Sequence, residues 1–93
     1  MLIIAGYITV PPEDRDQAVA TFADLVRRAR EAPGCLDVAI TADSVDPGRI
    51  NNVERWRSWE DVDAWRAQAR APEVTILTDH VRMYDASNER SPF

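Results

Sequence analysis

The first ten residues constrain the fold of this 93-residue chain more than any other segment. Residues 2–10 read LIIAGYITV, with apolar residues on both alternating faces, and Pro11-Pro12 follow at once. Isoleucine, valine and tyrosine at both odd and even positions are typical of a β-strand that is covered on both faces. A chain this short has no third layer to cover the second face. The pattern therefore predicts a homodimer formed through the open face of the sheet.

Hydrophobic periodicity and capping signals divide the rest of the chain into helices and strands. Asp14 with Gln17, and Ser58 with Asp61, have the spacing of capping boxes, which open helices. After the first strand, the predicted elements are a helix over 14–32, strands over 35–42 and 50–56, a helix over 58–71 and a strand over 80–86. The segment 72–79 is either a short helical turn, which we favour, or the start of a strand. This order predicts an α+β, ferredoxin-like βαββαβ fold, in which both helices lie on one face of a four-stranded antiparallel sheet.

The charge and the cysteine content exclude several classes of partner. The net charge is −5, the sequence pI is about 4.7, and all eleven cationic side chains are arginines, which argues against nucleic acid or an anionic membrane. The apolar N-terminal segment is too short to span a bilayer and has no basic flank. The single Cys35 fits a reducing compartment, so we expect a cytoplasmic protein. One cysteine and one histidine predict no transition-metal site, and the absence of a glycine-rich phosphate loop predicts no nucleotide cofactor.

All three tryptophans lie within ten positions of one another. At 100° per residue, Trp65 shares a helical stripe with Val62 and Ala69 that faces the sheet, whereas Trp59 lies roughly 90° from its centre. Trp56 ends the third strand. Two interpretations are open: the rings are core and interface residues, as tryptophan mostly is, or Trp56 and Trp65 line a pocket for a flat aromatic ligand.

Two motifs resemble the antibiotic biosynthesis monooxygenase family, whose members are small dimeric α+β barrels. EAPGCL at 31–36 matches the junction of the first helix and second strand, and VERWRSWEDVDAWRAQ at 53–68 looks like a Glu-x-Trp strand end followed by a capped helix. The length, the element order and the final VRMYD also agree. The resemblance covers residues 1–86, which we expect to form one domain, with residues 87–93 as a C-terminal tail.

This family includes cofactor-free oxygenases of quinols and anthrones, haem-degrading enzymes, and domains without a known substrate. The haem degraders pair an Asn on the first strand and a His after the second helix with a Trp on that helix. Trp65 occupies the matching Trp position, but the first strand reads Ala5-Gly6-Tyr7 and the His position falls near Thr75. The resemblance therefore implies a monooxygenase that needs no cofactor and acts on a quinol-like or polycyclic aromatic small molecule, rather than haem breakdown.

The candidate base is His80, the only histidine, because an imidazole titrates near neutral pH; the alternative is a surface or packing role. Glu54 is either a second candidate base or the partner of an arginine across the sheet, and we favour the ion pair. The hydroxyl groups of Tyr7 and Tyr84 would form hydrogen bonds with a quinol oxygen. The predicted substrate pocket is lined by Trp56, Trp65, Tyr7, Phe22, Glu54 and Tyr84.

Two other functions remain open on the sequence alone. A non-catalytic dimeric domain that binds a small apolar metabolite would saturate with an aromatic ligand and leave it unchanged. An isomerase or cyclase on the same barrel would convert its substrate without consuming O2.

Overall fold

A single antiparallel sheet organises the chain, whose computed structural model describes residues 1–93. The order across the sheet is β2-β3-β1-β4, and β5 also pairs with β1, so the α+β, ferredoxin-like arrangement predicted from the sequence is confirmed. Both helices lie on one face of this sheet. The elements are β1 (Leu2–Thr9), α1 (Arg15–Glu31), β2 (Cys35–Ala42), β3 (Arg49–Trp56), α2 (Trp59–Gln68), β4 (Thr78–Asp79) and β5 (Arg82–Asp85), with a 3-10 turn at Pro12–Asp14 before α1.

The two helices begin in different ways. Ser58 is extended and its Oγ accepts a hydrogen bond from the Asp61 N–H at 3.2 Å, which confirms the predicted cap of α2. Asp14 makes no capping bond with its side chain, so the capping box predicted with Gln17 is wrong. The reason is that the backbone of Asp14 is already helical, at φ −100° and ψ −13°, because the preceding 3-10 turn includes it. Helix α2 ends earlier than predicted, because the backbone of Ala69 is extended.

The segment that follows α2 contains no helix. The Leu77 N–H donates to the Thr9 carbonyl at 2.8 Å, which draws the chain alongside β1 and into β4. The helical turn favoured within 72–79 is therefore wrong, and the alternative, the start of a strand, is confirmed by β4 at 78–79. The last strand predicted at 80–86 is found as β5 at 82–85, and β4 and β5 share one continuous register on β1.

The break between β4 and β5 depends on Gly6. The His80 carbonyl oxygen lies where a Cβ on Gly6 would be, and Gly6 has φ 145°, a conformation that side chains other than glycine rarely adopt. The last strand can therefore bend against β1 only because residue 6 has no side chain.

The core between helices and sheet consists of two apolar clusters. Trp56 is fully buried and Trp65 is 9% exposed, whereas Trp59 is 46% exposed, as the helical arithmetic predicted. The larger cluster contains Leu2, Ile4, Ala29, Val38, Trp56, Val62 and Trp65, and the smaller contains Val10, Ala18 and Ile50.

Neither helix has the length and apolar character needed to cross a bilayer.

Candidate functional site

A polar group interrupts the apolar surface that β3 turns toward the helices. Asn52, Glu54 and Trp56 alternate along this strand, and we call them the β3 cluster. Glu54 stands between Ile4 and Val38, which are both buried in the core. The Trp56 Nε1–H donates to Glu54 Oε1 at 3.0 Å, and the Asn52 Nδ2–H donates to Glu54 Oε2 at 2.9 Å. Both carboxylate oxygens are thus held by neighbours on the same strand.

Asn52 has one amide atom that the chain does not satisfy. Its Oδ1 is buried and has no hydrogen-bond donor, and it is the only buried side-chain nitrogen or oxygen in this state. An acceptor left in this way costs about 1–3 kcal/mol, so a fold that keeps one calls for an explanation such as a ligand that donates to it. Asn52 was not predicted as a site residue, although an asparagine that shares a strand face with Ile50 and Trp56 is a signal in the sequence.

Asn52 lies between the two apolar clusters. Ile50, two residues before Asn52, belongs to the smaller cluster, and Trp56 belongs to the larger. The residue paired with Asn52 on β1 is Gly6, which contributes no side chain. Phe22, on the inner stripe of α1, is half-buried and belongs to neither cluster. We call this region the helix–sheet interspace.

The ion pair favoured for Glu54 does not exist. Strand alternation places Glu54 on the helix-facing side, where no arginine reaches its carboxylate. The adjacent Arg55 points to the other face and lies 3.8 Å from Glu89 in the C-terminal tail. The polar partners of Glu54 are the amide and the indole described above.

Three of the predicted site residues lie on the uncovered face of the sheet, opposite the helices. The rings of Tyr7 and His80 have centroids 4.8 Å apart, and the guanidinium carbon of Arg49 lies 3.8 Å above the Tyr7 ring. Tyr84 pairs with Ile3 on the same face and is 54% exposed. The structure therefore brings together Trp56, Trp65 and Glu54 on the helix-facing side and separates them from Tyr7, Tyr84 and His80, whereas Phe22 lies on α1 outside both apolar clusters.

A cleft of about 220 Å³ opens between α1 and the segment after α2. It reaches the smaller apolar cluster, because Ala18 belongs to that cluster and Val74 packs against it. Thr75 lines this cleft, together with the carboxylates of Asp14 and Glu73. The cleft thus combines polar lining residues with an apolar contact to the smaller cluster.

Two side chains have shifted pKa values. Burial, reinforced by the nearby carboxylate of Glu54, raises the pKa of the Cys35 thiol, so this thiol stays protonated at neutral pH and is a poor nucleophile. Hydrogen bonds from the Asp46 backbone N–H and the Asn51 side chain lower the pKa of Asp43 from 3.8 to about 2. Asp43 belongs to the turn between β2 and β3. No three His, Cys, Asp or Glu side chains lie close enough together to hold a metal ion.

Comparison with known proteins gives matches over most of the chain. The family model described as antibiotic biosynthesis monooxygenase matches residues 1–73. A protein of Deinococcus radiodurans assigned to the same activity has a TM-score of 0.76 at 16% identity, over 100% of this chain and 99% of its own. One from Chloroflexus aurantiacus has a TM-score of 0.73 at 25% identity, over 97% and 96%. No curated protein matches the sequence significantly.

A haem degrader from Mycobacterium tuberculosis, with two haems bound in its active site, also has this fold, with a TM-score of 0.70 at 19% identity over 98% of this chain and 100% of its own. The residues of the present chain do not fit a haem held by histidine. Its only imidazole, that of His80, stacks on Tyr7 on the uncovered face, and Trp65 lies on the other side of the sheet. The helix–sheet interspace contains no imidazole to bind iron.

Proposed function

Because this chain belongs to the antibiotic biosynthesis monooxygenase family, we propose that it is a monooxygenase that acts without a cofactor on a quinol-like or polycyclic aromatic small molecule. Family membership supports a monooxygenase-type function in general. The observation that supports the substrate class is the buried, unsatisfied Oδ1 of Asn52 beside the Glu54 carboxylate. A phenolic hydroxyl is a donor that would complete this acceptor, and an aromatic body suits the apolar clusters on either side.

Each residue of the helix–sheet interspace has a role in this proposal. Asn52 accepts the hydrogen bond of a phenolic O–H and orients the ring. Trp56, Trp65 and Phe22 provide aromatic surface that excludes water from the substrate. Glu54, adjacent to Asn52, takes as general base a different proton of the substrate, that of the second hydroxyl of a quinol or of the methylene group of an anthrone.

The reaction needs no reductant other than the substrate. Deprotonation gives a phenolate, which transfers one electron to O2, and the substrate radical and superoxide then combine at carbon to form a peroxide. For an anthrone, the ring methylene group and one O2 become a ketone carbonyl and one water, so one oxygen atom enters the product and the other leaves as water. Because the four electrons that reduce O2 all come from the methylene carbon, the protein supplies only orientation, a dry environment and a base.

Oxygen uptake with product analysis tests this proposal, using metal-free protein and a panel of quinols and anthrones. Glu54→Gln keeps the shape of the side chain and removes the base, so we expect kcat to fall by about 10²- to 10⁴-fold. Glu89→Gln makes the same change of charge in the exposed tail and should leave kcat unchanged.

The same experiment separates the alternatives. Loss of activity in His80→Ala but not in Glu54→Gln would assign the base to His80 and the substrate to the uncovered face. Quenching of tryptophan fluorescence by these compounds without turnover would indicate the non-catalytic binding domain. Conversion without O2 uptake would indicate an isomerase or cyclase.

The proposal includes a homodimer through the uncovered face of the sheet. Val53 at the middle of β3 is 47% exposed and stands between Ala5 and Ala39, so it projects above two small apolar neighbours. We also propose that residues 1–86 form the domain and residues 87–93 an appended tail, since the last backbone bond to the sheet is that of the Ala86 N–H to the Met1 carbonyl. The unpaired Cys35 supports a cytoplasmic location.

A further inference from the structure

A second concave surface lies outside the helix–sheet interspace, between α1 and the edge strand β2. This groove has a volume of about 360 Å³, and six of the nine residues that line it are hydrophobic. Helix α1 contributes Val19, Ala23 and Val26, and β2 contributes Ile40. Small-molecule sites have volumes of about 300–1,000 Å³ and a similar apolar lining with a few polar groups. The groove is therefore of the right size and character for a small ligand.

The three polar residues of the groove are Thr41 and two arginines. Arg27 makes no hydrogen bond, and its one ion pair is an exposed contact of 3.6 Å with Asp24. The Nε of Arg30 donates to the Val38 carbonyl at 2.8 Å and lies 3.8 Å from Asp37 Oδ1, whereas the two terminal amino groups of Arg30 make no hydrogen bond. Both guanidinium groups thus keep free N–H donors at the edge of an apolar surface. Such donors bind a carboxylate through charge-assisted hydrogen bonds.

The backbone of β2 argues against an added peptide strand as the occupant. β2 is an edge of the sheet, and an edge strand normally offers free N–H and C=O groups to a partner strand. At Val38, however, the N–H already donates to Asp37 Oδ1 at 2.9 Å, and the C=O already accepts from Arg30. Side chains therefore block strand pairing at the middle of this edge, whereas the groove beside it stays open.

We propose that the groove between α1 and β2 binds a small amphiphilic carboxylate. Its apolar body lies on Val19, Ala23, Val26 and Ile40, and its carboxylate accepts hydrogen bonds from Arg27 and Arg30. This site is separate from the helix–sheet interspace and does not depend on the oxygenase function.

Titration with decanoate, followed by ¹H–¹⁵N NMR, tests the proposal. We expect chemical-shift changes confined to residues 19–30 and 39–41, and weaker binding of decanol, which has the same chain without the charge. Arg27→Gln should weaken decanoate binding about tenfold, the loss of one charge-assisted hydrogen bond at an exposed site. The control is Arg28→Gln, because Arg28 pairs with Asp24 at 3.0 Å and does not line the groove. This variant should bind decanoate as the unchanged protein does.

A second variant tests the site by filling it. Ala23 is exposed on α1, and leucine is also a strong helix former, so Ala23→Leu should fold normally and abolish decanoate binding. Oxygen uptake by Ala23→Leu should equal that of the unchanged protein, which keeps this test independent of the proposed oxygenase function. The proposal is overturned if the shift changes lie elsewhere, if decanol binds as tightly as decanoate, or if Arg28→Gln weakens binding as much as Arg27→Gln.

Discussion

At the scale of single residues, the adjacent Asn51 and Asn52 face opposite sides of the sheet and differ in how their amide groups are hydrogen-bonded. The Asn51 amide faces the uncovered side and donates to Asp43 Oδ1 at 2.9 Å in the β2–β3 turn. The Asn52 amide faces the helices, donates to Glu54, and leaves its own Oδ1 unsatisfied. The Asn51 Oδ1 accepts from Arg49 Nε at 2.7 Å, so only one of the two identical side chains has a satisfied carbonyl oxygen. This contrast is what the proposed role of Asn52 in binding a hydroxyl donor predicts.

Substituting leucine at each position measures the contrast. Asn52→Leu removes the unsatisfied Oδ1 but also the donor to Glu54 Oε2, so the gain and the loss offset each other and the free energy of unfolding should be nearly unchanged, while oxygen uptake is lost. Asn51→Leu removes a satisfied hydrogen bond and should lower the free energy of unfolding by about 1 kcal/mol. Urea denaturation measures both values. Equal losses of stability in the two variants would mean that Asn52 Oδ1 is satisfied in solution, and would count against its proposed role.

At the scale of elements, side chains reinforce the turn between β2 and β3, whose backbone bonds run from the Asp43 N–H to the Arg49 carbonyl and from the Arg49 N–H to the Asp46 carbonyl. Asp43 Oδ2 accepts from the backbone N–H groups of Val45 and Asp46 at 3.1 and 2.8 Å. The Arg15 guanidinium, at the start of α1, donates to the carbonyls of Asp43, Asp46 and Arg49. The turn thus joins the first helix to the hairpin, and Asp43 is the ionised group at its centre.

The lowered pKa of Asp43 makes the stability of this turn depend on pH. A carboxyl whose pKa is lower in the folded than in the unfolded chain stabilises the fold above its unfolded pKa, near 3.8, and loses that effect as the pH falls to its folded pKa, about 2. Asp43→Asn should therefore be less stable than the unchanged protein at pH 7, and the difference should shrink between pH 4 and pH 2.

Thermal denaturation at a series of pH values measures this difference. Asp63→Asn serves as the control, because Asp63 is exposed on α2 and takes no part in the bonds of the turn. A difference between Asp43→Asn and the unchanged protein that stayed constant from pH 7 to pH 2 would contradict the assigned cause.

The elements that the sequence predicts correctly are those whose signals are local. The strands at 2–9, 35–42 and 49–56 and the cap at Ser58 follow from alternation and from capping residues within a few positions. The division of the last strand does not, because it depends on Gly6, which lies near the opposite end of the chain.

The same limit applies to the site. Alternation correctly placed Glu54 and Trp56 on one face of β3. The prediction that Tyr7 and His80 line the same pocket is wrong, because the faces of these two residues follow from the pairing of β1 with β3 and with the last strand. That pairing is a long-range contact between distant segments. No single window of the sequence contains it.

At the scale of the whole molecule, the uncovered face of the sheet should determine the oligomeric state. Light scattering at micromolar concentration should give a dimer for the unchanged protein. Val53→Glu places a charge at the middle of that face and should give a folded monomer, because burying an unpaired carboxylate costs more than the contact gains. Val45→Glu makes the same change in the β2–β3 turn, where the residue is 89% exposed, and should stay dimeric. A stable monomer of the unchanged protein would remove the argument for a covered face.

The alternation of β3 has one further consequence. Val53 and Arg55 on the proposed dimer face flank Glu54 on the helix-facing side, so the proposed function assigns subunit association and the chemistry to consecutive residues of one strand. A ligand held by Asn52 and Glu54 and a partner held by Val53 act on the same few peptide units, and by thermodynamic linkage each affects the binding of the other equally. Specific activity should consequently fall when the protein is diluted below its dissociation constant, and saturating substrate should restore it by drawing the subunits back together.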